Sequence, residues 1–393
     1  MQSDTPGRRM TRRDFVRRSA ATAVLEGMLA APSIPAAAQE VAPPGGIPRR
    51  RIPKLDTDVS VVCFGSFGLT NPAVLEAALD AGVNLIDTGP GYSEGNAERV
   101  IGQVMEKRRD EAILTTKFEK VVDGITKDEL LQQLDGSLQR LRTDHVDIMQ
   151  IPMADSAKVF QVPALYEAFA EAKEAGKVRH LGFSAHDANL GDCITEAIEH
   201  DEMAGMVIRY NVMQPPDLDD RLQKAAEAKL AAIVMKVSAG NRDKELQEFA
   251  REGDLQTAAV RWALSNPSIT SVCCGMLSFA DVEKFTQAVQ QPVSQADLDL
   301  LRRYRVAVDH VYCRNCGTCQ RSCPHGVMVK EITRYAMYYR YYGFEREAMR
   351  LYAALKPSAR AAACTACSGH CAGACPHGLD TPRIMAEAHR MLS

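Results

Sequence analysis

Two cysteine runs decide how the C-terminal part of this 393-residue chain folds: CRNCGTCQRSCPHG at residues 313–326 and CTACSGHCAGACPHG at residues 364–378. The first has the spacing C-x2-C-x2-C-x3-C, and the second has C-x2-C-x3-C-x3-C. Short spacings let one loop present several thiolates to an inorganic centre, which can be an iron–sulfur cluster or zinc. Eight cysteines in two runs that both end Cys-Pro favour iron–sulfur. The chain is therefore expected to carry electrons.

The Cys-Pro ending of each run resembles that of the two-cluster ferredoxins. In those proteins the fourth cysteine of one run ligates the cluster held mainly by the other run. The resemblance implies two [4Fe–4S] clusters as cofactors, with ligands that cross over between the runs. The expected ligand sets are Cys313, Cys316, Cys319 and Cys375 for one cluster, and Cys364, Cys367, Cys371 and Cys323 for the other.

The segment between the runs, residues 324–363, has a mostly helical pattern from residue 330 to residue 355. It is too long for a compact ferredoxin hairpin, so the region resembles the α-helical ferredoxin domains of multi-subunit dehydrogenases. Tyrosines and arginines alternate along it, which predicts a face that packs on the rest of the chain or docks a redox partner protein. These residues are Tyr335, Tyr338, Tyr339, Tyr341, Tyr342 and Tyr352, with Arg334, Arg340, Arg346 and Arg350.

Upstream of the cysteine runs, short apolar runs alternate with amphipathic ones. The apolar runs, predicted as strands, are residues 59–64, 84–88, 112–118, 146–151, 178–184, 206–210, 232–237 and 269–274. Helix-start signals fall between them: Asn71 precedes Pro72, and Thr126 with Glu129 forms a capping box. The pattern predicts an α/β fold, a (β/α)8 TIM barrel at residues 55–291 followed by a mainly α-helical ferredoxin-like domain at residues 292–393. A doubly wound open sheet is less favoured, because no Gly-rich fingerprint follows the first strand.

Side chains at the carboxyl ends of three predicted strands form a recognisable set. They lie in NLIDTGPGYSE at residues 84–94, in TKF at residues 116–118 and in VRHLGFS at residues 178–184. Chemistry in such barrels is placed at these strand ends. In order and spacing the set resembles the aldo/keto reductases, and the resemblance covers roughly residues 55–290.

The aldo/keto reductase resemblance implies a small carbonyl-type substrate and assigns roles to four residues. Tyr92 would donate the proton, Lys117 would be its cationic neighbour, Asp87 would partner Lys117, and Ser184 would contact the nicotinamide of NADP(H). An ammonium beside Tyr92 is expected to lower the pKa of the phenol. The alternative is that Asp87 and Lys117 form only a structural ion pair in the barrel mouth.

Four positions depart from that family pattern. The catalytic histidine expected at the end of the fourth strand corresponds to Pro152, which cannot donate a hydrogen bond, and His145 lies at the wrong end of that strand. The glutamine that holds the nicotinamide amide corresponds to Val207. The residues for the 2′-phosphate and adenine correspond to Leu277 and Phe285. Together these departures argue against NADPH as the working cofactor.

The N-terminus has the features of an export signal in the usual order. TRRDFVR at residues 11–17 resembles the twin-arginine motif, an apolar run follows at residues 19–31, and Ala36-Ala37-Ala38 offers a small-residue cleavage site. We therefore expect a signal peptide at residues 1–38, the twin-arginine export machinery as a partner and a periplasmic location. Residues 39–54 are rich in Pro and Gly, which predicts a linker without a regular element.

The composition is that of an ordinary soluble globular protein, with 46% hydrophobic and 25% charged residues. A formal charge of −3, which becomes more acidic once residues 1–38 are removed, gives no case for a nucleic-acid partner. Cys63, Cys193, Cys273 and Cys274 lie in apolar segments and are predicted to be small buried residues rather than disulfides.

Two function classes fit these observations. In the first, an exported oxidoreductase couples a barrel active site to the two clusters. In the second, the chain is an electron-transfer or assembly protein whose barrel is a catalytically retired scaffold. Asp87, Tyr92 and Lys117 favour the enzyme, whereas Pro152 and Val207 favour the second class or a different reductant.

Overall fold

The computed structural model describes residues 46–154, 156–186, 189–215, 217–238, 254–309 and 312–393. The predicted signal peptide and the first residues of the predicted linker lie outside this part of the chain. Across the described ranges, no helix is both long and apolar enough to cross a membrane.

Eight parallel strands close into a barrel, as predicted, with the last strand hydrogen-bonded both to the strand before it and to the first barrel strand. The barrel strands are β3 (Val62–Gly65), β4 (Leu85–Asp87), β5 (Ile113–Lys117), β6 (Val146–Ile151), β7 (Val178–Ala185), β8 (Met203–Arg209), β9 (Ala231–Met235) and β10 (Ser271–Gly275). The prediction for β8 began three residues late, because Met203 to Gly205 continue the buried ladder with β7.

A helix follows each barrel strand. They are α1 (Pro72–Asp80), α2 (Asn96–Arg108), α3 (Lys127–Leu141), α4 (Pro163–Glu174), α5 (Leu190–Ala197), α6 (Leu218–Glu227), α7 (Leu255–Leu264) and α8 (Phe279–Ala288). The predicted start signals are used: the Asn71 side chain accepts from the N–H of Ala73, and Thr126 and Glu129 form a reciprocal capping box. These bonds satisfy backbone donors that a helix start otherwise leaves unpaired.

Alternation along the strands separates two cores. Inward-facing residues such as Leu85, Ile113 and Ile148 fill the barrel, while their neighbours Ile86, Leu114 and Met149 pack outward against the helices. This period of two fixes which side chains reach the interior at the carboxyl ends of the strands.

The predicted linker is wrong for its last residues. Strand β1 (Arg49–Ile52) pairs antiparallel with β2 (Thr57–Ser60), and a short 3₁₀ helix (Pro53–Leu55) joins them. Ile52, Leu55 and Val59 from this hairpin pack into the inner core of the barrel. Prolines on either side of β1 obscured the strand in the sequence. Burial of these three side chains stabilises the hairpin against the barrel interior.

The predicted boundary at residue 292 also needs revision. Helix α9 (Gln295–Val308) packs on the barrel, with Leu300, Leu301 and Tyr304 in the outer core. Its N-terminal Asp297 receives two hydrogen bonds from Arg261 on α7, at 2.9 and 2.6 Å. The helix therefore belongs to the barrel, and the separate C-terminal core begins after it.

The C-terminal region is helical, as predicted, with α10 (Thr318–Arg321), α11 (Val329–Tyr341), α12 (Glu345–Ala354) and α13 (Thr381–Leu392). Its small core contains Ile332, Tyr335, Ala348, Tyr352 and Met385. The segment predicted to be mostly helical between residues 330 and 355 forms two helices, because Gly343 adopts a φ of 70° just after α11 ends. This turn lets α11 and α12 pack against each other.

Candidate active site at the barrel mouth

Asp87 and Lys117 meet at the carboxyl ends of β4 and β5. Asp87 lies two residues after the inward-facing Leu85 and Lys117 four residues after the inward-facing Ile113, so the period of two points both into the barrel mouth. The Nζ of Lys117 donates to both carboxylate oxygens of Asp87, at 2.8 and 2.9 Å, and to the carbonyl of Thr88 at 2.5 Å. Asp87 is 2% exposed and Lys117 7%. A charge pair this buried is tolerable only with such complete hydrogen bonding.

Gln150, on the neighbouring strand β6, completes the polar layer around Asp87. Its Nε2 donates to Asp87 Oδ1 at 2.8 Å and to Thr115 Oγ1 at 2.7 Å. The other amide atom, Oε1, is buried without a hydrogen-bond partner among the described residues. Sequence reasoning missed Gln150, and its period-two position on β6, level with Lys117, was the available signal.

Tyr92 lies on the loop after β4, above the Asp87–Lys117 pair. Its backbone N–H donates to the carbonyl of Gly89 at 3.0 Å, which closes a tight turn. The Nζ of Lys117 is 4.9 Å from the centroid of the Tyr92 ring. Phe67 contacts the same ring edge-on, with centroids 5.0 Å apart and planes at 83°. The three predicted catalytic residues are therefore together.

The expected lowering of the Tyr92 pKa is not what this arrangement produces. Burial of the phenol, followed by the negative charge of Asp87, raises the pKa of Tyr92 well above its ordinary value. The ammonium of Lys117 is already paired with both oxygens of Asp87, so its charge is largely offset before it reaches the phenol. A phenol that keeps its proton suits a general acid.

Ser184 and Pro152 lie next to each other where β6 and β7 end. The Ser184 hydroxyl accepts from the N–H of Met153 at 3.3 Å, and its carbonyl accepts from the N–H of Ala154 at 2.7 Å. Ser184 thereby holds the segment that follows Pro152. Its predicted contact with a nicotinamide stays a prediction.

The other three departures lie in different environments. Val207 lines the barrel interior, where it presents only methyl groups. Leu277 is 38% exposed after β10, whereas Phe285 is buried between the strands and helices. Beside Phe285, the Nζ of Lys284 pairs with Asp254 at 2.7 Å.

Two of the cysteines that were predicted to be small buried residues lie side by side beside this site. Cys63 on β3 and Cys273 on β10 are register partners, and both face the interior. Burial, and then the neighbouring Cys273 thiol, raise the pKa of Cys63 well above its ordinary value. The sequence carries no local signal for this pair, because the two strands become neighbours only when the barrel closes. Cys193 and Cys274 are buried as predicted, but Cys273 is only half-buried.

Helix α11 of the C-terminal region lies across the barrel mouth. The ring centroids of Tyr338 and Phe67 are 5.6 Å apart. The Nζ of Lys236, which follows β9, lies 5.0 Å from the ring centroid of the same tyrosine. Phe344 also contacts Phe67, with ring centroids 4.6 Å apart. A Cβ on Gly68, whose φ is 88°, would lie 2.6 Å from Phe344, so this close approach requires glycine. Of the tyrosines in this segment, Tyr338 therefore packs on the barrel, whereas Tyr335 and Tyr352 lie in the core of the C-terminal region.

One cavity of the C-terminal region is lined by Cys313, Cys316, Cys319 and Cys375. The remaining lining residues include His377 but no carboxylate, and a donor set dominated by four thiols suits an iron–sulfur cluster. Burial raises the pKa of Cys313 to about 11. A cationic cluster iron would stabilise the thiolate form that this burial disfavours.

The second grouping contains Cys364, Cys367, Cys371 and Cys323. Burial, and then the neighbouring thiols of Cys323, Cys371 and Cys367, raise the pKa of Cys364 to about 11. Both groupings combine three cysteines of one run with the last cysteine of the other. Within the described residues, no three Cys, His, Asp or Glu side chains are arranged to hold a single metal ion.

Comparison with known families agrees with this division of the chain. Residues 70–234 match the aldo/keto reductase family, and residues 312–379 match the 4Fe-4S dicluster domain. The barrel is an oxidoreductase domain of aldo/keto reductase type. The helical region after it carries the ferredoxin-type domain, which supplies 4Fe-4S chemistry.

Individual relatives resemble the aldo/keto reductase barrel. Aldo-keto reductase YhdN of Bacillus subtilis is 32% identical over 123 residues, which cover 29% of this chain and 37% of that protein. The NADH-specific methylglyoxal reductase of Escherichia coli is 24% identical over 281 residues, covering 58% of this chain and 85% of that protein. The match to YhdN thus spans little more than a third of that relative.

Solved aldo/keto reductase structures share the fold of the barrel. Aldo-keto reductase AKR11C1 from Bacillus halodurans, in its holo form, superposes with a TM-score of 0.55 at 22% identity, covering 66% of this chain and 96% of that one. Glycerol dehydrogenase AKR11B4 from Gluconobacter oxydans gives 0.53 at 19% identity, with 67% and 96% covered. About a third of this chain, including the cysteine runs, is therefore additional to the fold they share.

Proposed function

We propose that this protein is an exported carbonyl reductase in which two [4Fe–4S] clusters, rather than NADPH, supply the electrons. Its substrate is a small carbonyl compound that enters the barrel mouth beside Tyr92. Reduction of a carbonyl to an alcohol takes two electrons and two protons, of which Tyr92 gives one to the oxygen and solvent water gives the other to the carbon. A [4Fe–4S] cluster, when bound, exchanges one electron at a time, so two clusters can hold the pair.

Helix α11 carries this proposal, because it lines both sites. Val329, Lys330 and Thr333 on its first turns line the cavity of four cysteines. Tyr338, further along the same helix, contacts Phe67, which contacts Tyr92. Thr333 and Tyr338 are separated by about 7.5 Å along the helix axis, at 1.5 Å per residue. A single helix therefore connects the cavity of four cysteines with the barrel mouth.

The residues of the mouth have defined tasks in this reaction. Tyr92 gives its proton to the carbonyl oxygen, and its raised pKa keeps that proton in place until the oxygen becomes basic. Lys117 and Asp87 position the ring from below through their buried pair. Gln150 holds Asp87 so that the carboxylate stays on Lys117.

NADPH is the weaker candidate donor for this chain. Val207 offers no hydrogen bond to an amide, and Leu277 and Phe285 offer no charge to a phosphate. Each lost charge-assisted contact costs about 1.5–3 kcal/mol, and about 1.4 kcal/mol corresponds to a tenfold change in affinity. Several such losses take free NADPH out of a useful affinity range. A redox partner protein would then reload the clusters from outside.

Export is supported by the twin-arginine pattern at residues 11–17, which lies outside the described residues. The twin-arginine route accepts proteins that have folded around cofactors, which suits a chain with eight cluster cysteines. A periplasmic location also fits an enzyme that takes electrons from a partner protein instead of soluble NADPH.

The test compares electron donors on anaerobic, cluster-loaded protein with methylglyoxal as the carbonyl. Reduced methyl viologen should support steady alcohol formation, while NADPH should bind weakly and support none. Cys375→Ser should lose most of the viologen-driven activity, because it removes a ligand of the cluster beside α11. Tight NADPH binding with sustained turnover would show that the donor is misassigned. Intact clusters with no carbonyl turnover from either donor would point to the retired-scaffold alternative.

A further inference from the structure

His186 follows β7 at the barrel mouth and faces inward. Phe183 and Ala185 on β7 pack in the outer core, so the alternate positions, Ser184 and His186, point to the interior. Ser184 fixes the segment after Pro152 through two hydrogen bonds, which keeps the ends of β6 and β7 together. An imidazole thus lies beside the strand end where Pro152 offers no donor.

The charged groups that act on His186 come from four elements around the mouth. They are Lys236 after β9, Arg334 on α11, Arg209 at the end of β8 and Lys117 on β5. Burial and then these cations lower the pKa of His186 well below its ordinary value. The ring is therefore neutral at pH 7, and one of its nitrogens carries a proton that it can donate.

One ring nitrogen of His186 has no hydrogen-bond partner among the described residues. Its Nδ1 is buried and makes no hydrogen bond to the part of the chain that the structure describes. A buried polar atom without a partner costs about 1–3 kcal/mol, and such atoms in native proteins are rare enough to need an explanation. A ligand in the mouth that presents an oxygen to this ring would remove that cost.

We propose that His186 is the second group, besides Tyr92, that contacts the carbonyl oxygen of the substrate. This assignment rests on the proposed carbonyl chemistry of the mouth. Tyr92 transfers its proton to the oxygen, while the neutral imidazole of His186 keeps its proton and donates a hydrogen bond to the same oxygen. The hydrogen bond stabilises the negative charge that develops there before the proton arrives. Because His186 is on β7, it supplies from the neighbouring strand the donor that Pro152 lacks.

His180 provides a matched control on the same strand. It occupies the same face of β7, and its Nδ1 is also buried without a hydrogen-bond partner in the described part of the chain. Burial, and then the charge of Lys173, lower its pKa too. It lies at the other end of the strand, about 20 Å away at 3.3 Å per residue. His180→Ala should therefore reproduce any general cost of losing a buried histidine without touching the substrate.

The first measurement is the C=O stretching frequency of carbonyl-labelled benzaldehyde bound to oxidised, cluster-loaded protein, where no turnover occurs. Two hydrogen bonds should lower this frequency in the wild type. His186→Ala and Tyr92→Phe should each lose part of the shift, His186→Asn should keep more of it than His186→Ala, and His180→Ala should keep all of it. An unchanged frequency in His186→Ala, or no shift in the wild type, would overturn the assignment.

The second measurement separates this assignment from the proposed function. In the viologen assay His186→Ala should lower kcat by about 10²–10³-fold, the usual effect of removing one donor to a developing oxyanion. Normal kcat in His186→Ala, with an active wild type, would overturn the role of His186 and leave the reductase proposal intact. A frequency shift that depends on His186 in a protein without turnover would support the contact and refute the reductase.

Discussion

The ammonium of Lys236, at the end of a barrel strand, lies 5.0 Å from the ring centroid of Tyr338, on a helix of the cysteine-rich region. The Tyr338 hydroxyl is also 3.4 Å from the same ammonium. Because Tyr338 contacts Phe67 and Phe67 contacts Tyr92, the two regions of the chain share one wall at the barrel mouth. The iron–sulfur region is therefore part of the surroundings of Tyr92 and not a separate module on a tether.

Replacing Tyr92 by phenylalanine should reduce viologen-driven carbonyl reduction by about 10²–10⁴-fold, the range that general acids contribute. The clusters should be unaffected, so iron content and visible absorbance serve as internal checks. Tyr166→Phe is the matched control, since its hydroxyl bonds the carbonyl of Phe160 at 2.7 Å, away from the mouth. Full activity in Tyr92→Phe would remove the phenol from the mechanism.

The raised pKa of Tyr92 also predicts the alkaline side of the pH profile. A proton donor works in its protonated form, so its contribution is lost only as pH rises through its own pKa. Because that pKa lies above the ordinary value of about 10, turnover should show no tyrosine-linked decline between about pH 8 and pH 10. The check is kcat measured across this range, with cluster content assayed at each pH. A decline centred below about pH 9 would contradict the raised value.

Asp87→Asn should destabilise the fold by about 3–5 kcal/mol, because it leaves the Lys117 ammonium buried without a charged partner. The measurement is urea unfolding, in which the midpoint and slope of the transition give the free energy of unfolding of each variant. Asp135→Asn is the control, since the Lys177–Asp135 pair has a similar 2.6 Å contact but side chains 38% and 54% exposed. Breaking that exposed pair should cost less than about 1 kcal/mol. Equal losses in the two variants would mean that burial does not set the cost.

The crossover of cluster ligands predicts a pattern of double substitutions. The wild type should hold about eight iron and eight sulfide per chain, and Cys375→Ser should lose about half of each. Adding Cys313→Ser should lose no more, because both residues line the same cavity. Adding Cys364→Ser to Cys375→Ser should remove the second cluster as well. As a control, Cys193→Ser alters a buried cysteine of the barrel and should leave the iron and sulfide content unchanged. Iron and sulfide contents and electron paramagnetic resonance spectra are the measurements. Loss of both clusters in the Cys375/Cys313 double variant, but of only one in the Cys375/Cys364 double variant, would exclude the crossover.

The export signal predicts that Arg12→Lys with Arg13→Lys leaves unprocessed precursor in the cytoplasm. Arg8 and Arg9 form a second arginine pair just upstream, so Arg8→Lys with Arg9→Lys is a control of equal chemistry outside the motif. Cell fractionation and precursor size are the measurements. Normal periplasmic accumulation of the Arg12/Arg13 variant would refute the twin-arginine assignment.

Local patterns in the sequence were enough for most of the fold. The Thr126 and Glu129 capping box, the Asn71–Pro72 start and the apolar runs each act over a few residues, so they can be recognised without the tertiary structure. Where such signals were mixed, as in the proline-flanked β1, the prediction was wrong. A long helical pattern likewise hid the turn at Gly343.

The candidate site was likewise predictable only in part from the sequence. The sequence by itself determined which residue types stand at the strand ends, among them Asp87, Tyr92 and Lys117, and which cysteine spacings recur. Only the tertiary structure decided that Gln150 holds Asp87, that Cys63 meets Cys273 and that Tyr338 covers the mouth. It also reversed the expected shift of the Tyr92 pKa, because burial and the paired state of Lys117 are properties of the packed site. The alternation of side chains along a strand and the capping of a helix depend on residues only a few positions apart, so the sequence shows them directly. Contacts between residues that are 63 or more positions apart, such as Gln150 and Asp87, depend on barrel closure and on where the last helices dock.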